Sequence, residues 1–583
     1  MFVSHASQTR ACSLLSLTLM LVACGDPATS SPGDAGRDAF ATDADVPRDG
    51  SEPVDASTPD AGTPDAATPS AVCALPLTAA DVSVPTTVVG MGAPASCTVA
   101  ALAAAVAAGG VITFDCGAPT TFTLTAELTL PTDRDTVIDG GGTVTLDGGG
   151  TTRILHFQSG NYRGHYGGPQ HSLTVQHLSF AHGRASGTEI VVPADAPAAC
   201  SRGTGIDGGG GAILVGSGVL HVLDCTFTDN QAAQVGPDVA GGAVYATGST
   251  DVTIVGSTFT GNSAANGGAI ACLNSDLKLV NDTVDGNSAT GTGANSIDTM
   301  RCPAAINGGE IGNGGNGGGV YLDGGDDGTL TICGCVLARN TAGALGGGLF
   351  RTPDVSTQTT NVDQSTFEAN AAPNAGGGAM YLHNSALNVT SCTFSGNSAP
   401  SGGAFQADGT LFDFTNVTLV ANIATTGVGG AFAVFNYGAA GRLPAGTLTN
   451  CTVVANEAHG VDYAAFAAAS FGSPFAWNNC IVANNFDDDR NANASCGSPG
   501  TSSNSLQWPV SYPTSGMDPP CAPEITFADP MMGTLGDHGG ATLTVPTMAP
   551  DSVVRIGTDC PATDQAGHPR PTPCTVGALE RGF

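Results

Sequence analysis

Positive charge is scarce in this chain. Only 17 of 583 residues are Lys or Arg, against 50 Asp or Glu, and a single one of them, Lys278, is lysine. A net charge of −33 repels a phosphate backbone and excludes nucleic acid as a partner. It suits a soluble surface outside the cell. Aromatics reach only 5% and charged residues of both signs 11%, while glycine takes 83 positions. A chain this long would ordinarily divide into roughly three or four domains. With this composition a repeat solenoid is the better reading, because each repeat buries its face only against its neighbours. Cys-x-x-Cys pairs are also missing, which removes the usual zinc frameworks; Cys333-Gly-Cys335 comes nearest.

The N-terminus is where the sequence speaks most specifically. Arg10 precedes an apolar run from Ala11 to Ala23, too short to span a bilayer and of the right length for an export leader. The run ends Leu21-Val22-Ala23-Cys24, which resembles the lipobox of bacterial lipoproteins. That resemblance implies cleavage between Ala23 and Cys24 and acylation of the Cys24 sulfur. Membrane attachment through that lipid follows, since two or more acyl chains anchor stably. The expected location is the outer membrane of a Gram-negative bacterium, with the protein displayed at the surface.

Residues 1–23 are thus read as leader and 24–71 as a tether. The tether is rich in Pro, Asp, Ala, Ser and Thr without apolar periodicity, so it cannot bury enough surface to offset chain entropy. Export permits disulfides. Setting aside Cys12 in the leader and Cys24 leaves an even sixteen of the 18 cysteines. Spacing does not dictate connectivity; local pairs are expected, Cys97 with Cys116, Cys496 with Cys521 and Cys560 with Cys574.

Order is expected from residue 72. Residues 97–108 carry Val and Leu at helical spacing among alanines, and Gly109-Gly110 stops the pattern, which predicts one short helix. Short β-branched runs broken by Gly and Asp follow. A helix ahead of such runs predicts a cap over the open end of the solenoid. From about 208 a repeat emerges. One half is Gly-Gly-small-apolar, as in Gly210 to Ile213, Gly241 to Val244, Gly377 to Met380 and Gly429 to Phe432. The other is apolar-x-x-Asn, as in Phe227 to Asn230, Phe259 to Asn262, Phe367 to Asn370 and Phe394 to Asn397. Weaker copies include Val453 to Asn456 and Ile481 to Asn484.

Each part has a physical reading. Glycine supplies positive φ at a turn. The apolar residue after it starts a strand, and the Phe, Val or Leu enters the same core one strand later. Asn takes a left-handed turn and, stacked coil upon coil, its amides bond along the axis. Cys225 and Cys392, two residues before the apolar position, and by shift Cys451 and Cys480, read as a stack of small buried thiols. The expected architecture is all-β: a single-stranded parallel β-helix with about three strands per coil and a short N-terminal capping helix. Right-handedness is the usual hand of parallel crossovers.

The paired motifs over residues 208–484 resemble the repeats of polymorphic outer membrane proteins. The resemblance implies surface exposure and, for several members, adhesion; the amphipathic strands of a C-terminal translocating barrel are missing here. A second resemblance lies at the C-terminus. Asp537-His538-Gly539-Gly540-Ala541-Thr542, then Cys560 to Gln565, Pro569-Arg570-Pro571 and Cys574 to Glu580, look like the terminal region of choice-of-anchor Q surface proteins. Residues 72–490 are accordingly read as the β-helix, pectin-lyase-like in fold, and 491–583 as a cap on its far end.

Polysaccharide lyases and hydrolases share that fold, so their chemistry is the enzyme alternative. Asp326-Asp327 and Asp487-Asp488 are the carboxylate pairs that could serve it. Both stand in settings that read better as a solvated turn or loop, and neither Gly-His-Gly nor Arg-x-Lys accompanies them. No cofactor is expected; calcium is the one ion such Asp turns admit. Five histidines, His156, His165, His171, His177 and His182, lie close in sequence, but their spacing suits no single face and no metal site is assigned. The loop from Arg184 to Asp207 could carry binding. The expectation is therefore a surface-displayed structural, adhesive or glycan-binding lipoprotein without catalysis. Its partners are the membrane, through the lipid, and a glycan or cell-surface molecule.

Overall fold

The computed structural model describes residues 72–159, 170–190, 203–204, 206–236, 239–293, 314–324, 328–353, 358–435, 445–459, 475–487, 495–497, 499–512, 516–517 and 520–582. The body is a parallel β-helix. One full coil runs through Val244–Thr247, Val252–Val255, Thr258–Thr260 and Ser263–Ala264. The next repeats it as Ile270–Leu273, Leu277–Val280, Thr283–Asp285 and Ser288–Ala289, each strand in parallel register with its predecessor.

Four short strands per coil replace the expected three, so the Phe position enters the core two strands after the Gly-Gly strand. The extra corner is a single left-handed residue between the second and third strands. It is Asp224, Gly256, Asn281, Gly334, Gln364, Ser391, Asn416, Asn450, Asn479 or Asn504 in successive coils, with φ between 45° and 67°. Asn and Gly tolerate that conformation best.

The Gly-Gly pair divides its labour. Gly241 takes the positive φ, 68°. Gly242 allows close stacking: a Cβ there would stand 2.1 Å from the Gly268 carbonyl oxygen of the next coil. The apolar residues then pile in register. Phe180, Phe227 and Phe259 stack with centroids 4.7 and 4.5 Å apart, and Phe367 on Phe394 at 4.9 Å. Stacked rings add to what their buried area contributes.

The Asn of the repeat is not the left-handed residue. That conformation falls one position earlier, at Asp229, Gly261, Gly286, Arg339, Ala369, Gly396, Ala421 and Ala455. It turns the Asn side chain inward, where Asn230, Asn262, Asn287, Asn340, Asn370, Asn397, Asn422, Asn456 and Asn485 are buried. Each amide nitrogen donates to the next amide oxygen at 2.9–3.0 Å. It donates as well to a carbonyl of the coil before, as Asn262 does to Phe227 at 3.0 Å. The Asn262 oxygen also accepts the Asn230 N–H. The weak copy at 481–484 shifts by one: Val482, paired with Val453, takes the apolar place and Asn485 the ladder place, while Asn484 is left-handed.

A second inner ladder passes through the thiol position. Cys225, Cys335, Cys392, Cys451 and Cys480 are free and buried, joined by Ser257, Ser365 and Ser505. The Cys225 N–H donates to Ser257, Cys335 to Ser365 and Cys480 to Ser505. Burial pushes the Cys225 thiol up to about 12. Asp282 occupies the same place one coil after Ser257. Burial holds its carboxyl well above the usual range even though it accepts the Ser257 and Val280 N–H groups at 2.7 and 2.9 Å.

The helix is Val99–Ala108, with Thr98 as N-cap and Gly109 ending it at φ 71°. Leu102 and Val106 join the core beside Val89 and Leu128. Cys97–Cys116, Cys496–Cys521 and Cys560–Cys574 are disulfides, and Cys73–Cys333 is a further one across 260 residues.

The C-terminal region departs from the expected end cap, for it lies along the flank of the later coils. Val545, Ala549, Val554 and Val576 pack on Val420, Val454, Ile481 and Leu506. Gln565 donates to Thr393 at 2.8 Å and accepts from Thr418 at 2.7 Å. The reason is visible in the third strands, whose outward residues here include the apolar Val420, Val454, Ile481 and Leu506, which need cover.

Replacing Asn370 by Ala should remove the acceptor of Asn340 and the donor to Leu337, and cost about 3 kcal/mol. Asn361→Ala, on the outer face, should stay within about 0.5 kcal/mol of the parent. Denaturant melts of the two variants check this.

Candidate binding face

In the second strand of each coil the outward residues line up by register. Thr174, His221, Thr253, Lys278, Thr331, Asn361, Asn388, Asp413 and Thr447 form one continuous polar stripe. Strand alternation puts every one of them on the face opposite the core, and adjacent members stand one strand spacing apart, about 4.8 Å. Asn361, Asn388 and Asp413 are exposed. Asn388 donates to Asn361 at 3.0 Å, so the two amides act as a pair.

Toward the N-terminal end the stripe carries charge. Asp251 accepts from Thr253 at 2.6 Å and meets the Lys278 ammonium at 3.3 Å and His221 at 3.4 Å. Partial burial opposes its charge, but bonds from His221 and Thr253 and the Lys278 charge outweigh that and bring the carboxyl down to about 2. A carboxylate held so firmly ionised cannot serve as a general acid near neutrality.

The first strands present a different outer face. Tyr321, Phe350 and Tyr381 stack at 5.2 and 5.4 Å and are buried. Tyr381 donates to Asp408 at 2.6 Å. Burial raises the Asp408 carboxyl to about 6, and its Oδ1 is buried with no hydrogen-bond partner. Register sets His383 beside Asp408, and burial lowers the basicity of that imidazole. These groups have the proton affinities of an acid–base pair, but Asp408 is only 4% exposed. In the same strands Arg351 takes an inward place between Leu322 and Leu382, fully buried, and its guanidinium donates to the Gly324 and Gly328 carbonyls.

Those two glycines flank Asp326-Asp327, which lie outside the described residues, as do Ala23, Cys24, His165 and Asp488. The backbone of Asp487 closes the fourth strand of its coil opposite Ala458. The other four histidines are not gathered. His156 meets Glu127 at 3.0 Å, His171 Asp135 at 3.4 Å, His177 Asp139 at 3.1 Å and His182 Asp147 at 3.3 Å. Among the described residues the one cluster with ligand spacing is Cys73, Cys333 and Asp363, whose two sulfurs already form a disulfide.

The C-terminal motif is a buried ionic knot. Arg570 donates to the Thr575, Gly577 and Ala578 carbonyls and to Asn416. Glu580 accepts from Thr575, and Asp564 accepts the N–H groups of His568 and Glu580. Beside the knot a cleft of about 440 Å³ is lined by Arg555, Arg570, Arg581, Pro569 and Pro571. Asp551 and Glu580 already engage its arginines.

Sequence reasoning missed the stripe. Its signal was available as period-two alternation within each second strand, but assembling it requires the register between coils. The class defined is a parallel β-helix with an extended polar outer face. No known protein-family model matches the chain, and no curated protein sequence matches it.

Asp408 gives a pH test. Its folded carboxyl titrates higher than in the unfolded chain, so the protonated form favours folding. That contribution is complete below about pH 4 and is lost as pH rises through about 6. Asp408→Asn should therefore stabilise the protein at pH 8, by up to about 3 kcal/mol, and change little at pH 4. Thermal melts at the two pH values read the difference.

Proposed function

We propose that this protein is an exported lipoprotein, anchored through Cys24 in the outer membrane of a Gram-negative bacterium, that displays its β-helix to bind extended glycans. The observation that carries the reading is the polar stripe. It repeats Thr, Asn and Asp side chains once per coil, and Asn361, Asn388 and Asp413 stand exposed. A linear polymer laid along such a row meets a polar side chain at each step of one strand spacing. Single contacts of this kind are weak, and their number supplies the affinity.

The lipobox-like Leu21 to Cys24 supports the anchor, and the acidic composition of residues 24–71 supports a tether. The repeats support kinship with polymorphic outer membrane proteins, and the 560–580 motif with choice-of-anchor Q proteins. Adhesion to a glycan-coated surface is the role that fits these features together.

The soluble 72–583 fragment should be retained by members of a panel of acidic and neutral polysaccharides without releasing products, with or without calcium. The triple variant Asn361→Ala, Asn388→Ala, Asp413→Ala should weaken retention by at least about tenfold. Product release at enzyme-like rates would overturn the reading in favour of a lyase or hydrolase, and send mutagenesis to Asp326, Asp327, Asp487 and Asp488.

A further inference from the structure

At the left-handed corner between second and third strands, Asn281, Gln364, Asn416, Asn450, Asn479 and Asn504 carry amides, and several of them bond the backbone of chain segments that lie outside the coils. Asn450 and Asn479 donate to the Thr575 and Thr558 carbonyls of the C-terminal region, and the Asn479 oxygen accepts the Thr558 N–H. On the earlier coils the same strip holds the start of the folded chain. The Asn281 oxygen accepts the Val72 and Cys73 N–H groups, and its nitrogen donates to the Cys73 carbonyl. Gln176, one residue before the left-handed His177 of its coil, clamps both polar groups of Ala80, at 2.7 and 3.1 Å. The segment then reaches the first coil, where the Thr86 N–H donates to Val111.

The two occupants are held by different forces. The C-terminal region brings its own apolar core and the buried Arg570–Glu580 pair. Between Leu75 and Thr86 no side chain is buried; Leu75 is 51% and Val84 84% exposed. Five hydrogen bonds to two amides do not outweigh the entropy of ordering that length of backbone. The remaining ties are a small apolar contact of Val72 and Cys73 with Val255 and Val280, and the Cys73–Cys333 disulfide.

We propose that Val72–Thr86 is a strap, latched by the Cys73–Cys333 disulfide over a chain-docking strip, and that an external dithiol releases it while the coils stay folded. The dithiol thiolate attacks the half-buried Cys333 sulfur and expels the Cys73 thiolate, which takes up a proton. The second thiol of the reductant, as thiolate, then displaces Cys333, which is protonated in turn. The dithiol leaves as a disulfide, so two electrons and two protons are transferred. The coil beneath keeps its own supports, since Leu277–Val280 and Leu330–Cys333 remain paired and Asn287 and Asn340 remain in the ladder. Release lengthens the free chain ahead of the first coil by about 45 Å at full extension. The value of that extra reach rests on the tether reading above; the latch itself does not.

Hydrogen exchange on the full chain tests the latch. In a Cys73→Ser, Cys333→Ser double variant, and in the parent treated with dithiothreitol, the Val72, Cys73 and Ala80 amides should exchange at least about tenfold faster. Protease should then cut between residues 74 and 85, with exchange at 277–280 and 330–333 unchanged. Gln176→Ala with the disulfide intact should free Ala80 alone. Unchanged strap protection in the double variant overturns the proposal. So does equal loss in the coil strands, since the bond would then be a staple of the coil. Loss of the whole strap in Gln176→Ala overturns it as well.

Discussion

A stacked coil has to satisfy polar groups in two directions at once. Backbone N–H and C=O groups bond along the axis to the coils above and below, which fixes the spacing at about 4.8 Å. Any polar side chain turned inward must find partners at that same spacing. The Asn ladder meets this condition in full: each inner amide uses its oxygen twice and its nitrogen twice, along the axis and to the neighbouring backbone. A side chain of another length or chemistry would leave buried groups without partners, so the register of the coils from Asn230 to Asn485 is tied to this one row. The left-handed residue ahead of each Asn and the glycine pair that opens the next coil both serve to return the chain to it.

The outside of the rod follows from what the inside demands. Alternation along each strand sends every second residue outward, so a register fixed within also fixes rows without. The row on the first strands holds the buried stack of Tyr321, Phe350 and Tyr381. The row on the third strands becomes apolar from Val420 onward and is covered by the C-terminal region. The row on the second strands stays polar, with its exposed members Asn361, Asn388 and Asp413 in succession. That row is an extended ribbon of side chains along the stack. The corner amides are a separate resource, engaged by the two ends of the folded chain.

Much of the body was legible in the sequence because its signals are local and repeated. Gly-Gly-small-apolar and apolar-x-x-Asn recur from about 208 to 484, so a stacked fold, the Asn ladder, the thiol stack and the capping helix could all be read. The local disulfides followed from proximity in sequence. Details that depend on one residue of offset were misread: which residue takes positive φ, which Asn of Asn484-Asn485 enters the ladder, and how many corners a coil has. The single left-handed corner is filled by Asp, Gly, Asn, Gln and Ser in different coils, so it leaves no consensus to find. Asp282 in the thiol row was hidden for the same reason.

The sequence by itself determined the repeat, the inward chemistry and the kind of core, because each of these is written within one coil and copied to the next. Only the tertiary structure decided what meets across coils and across the chain. Lys278, Asp251 and His221 come from three coils. Cys73 finds Cys333 over 260 residues, and the C-terminal motif closes on the flank of coils up to about 173 residues earlier. Such contacts depend on the number and length of the intervening coils, a sum over the whole stack that no single repeat contains.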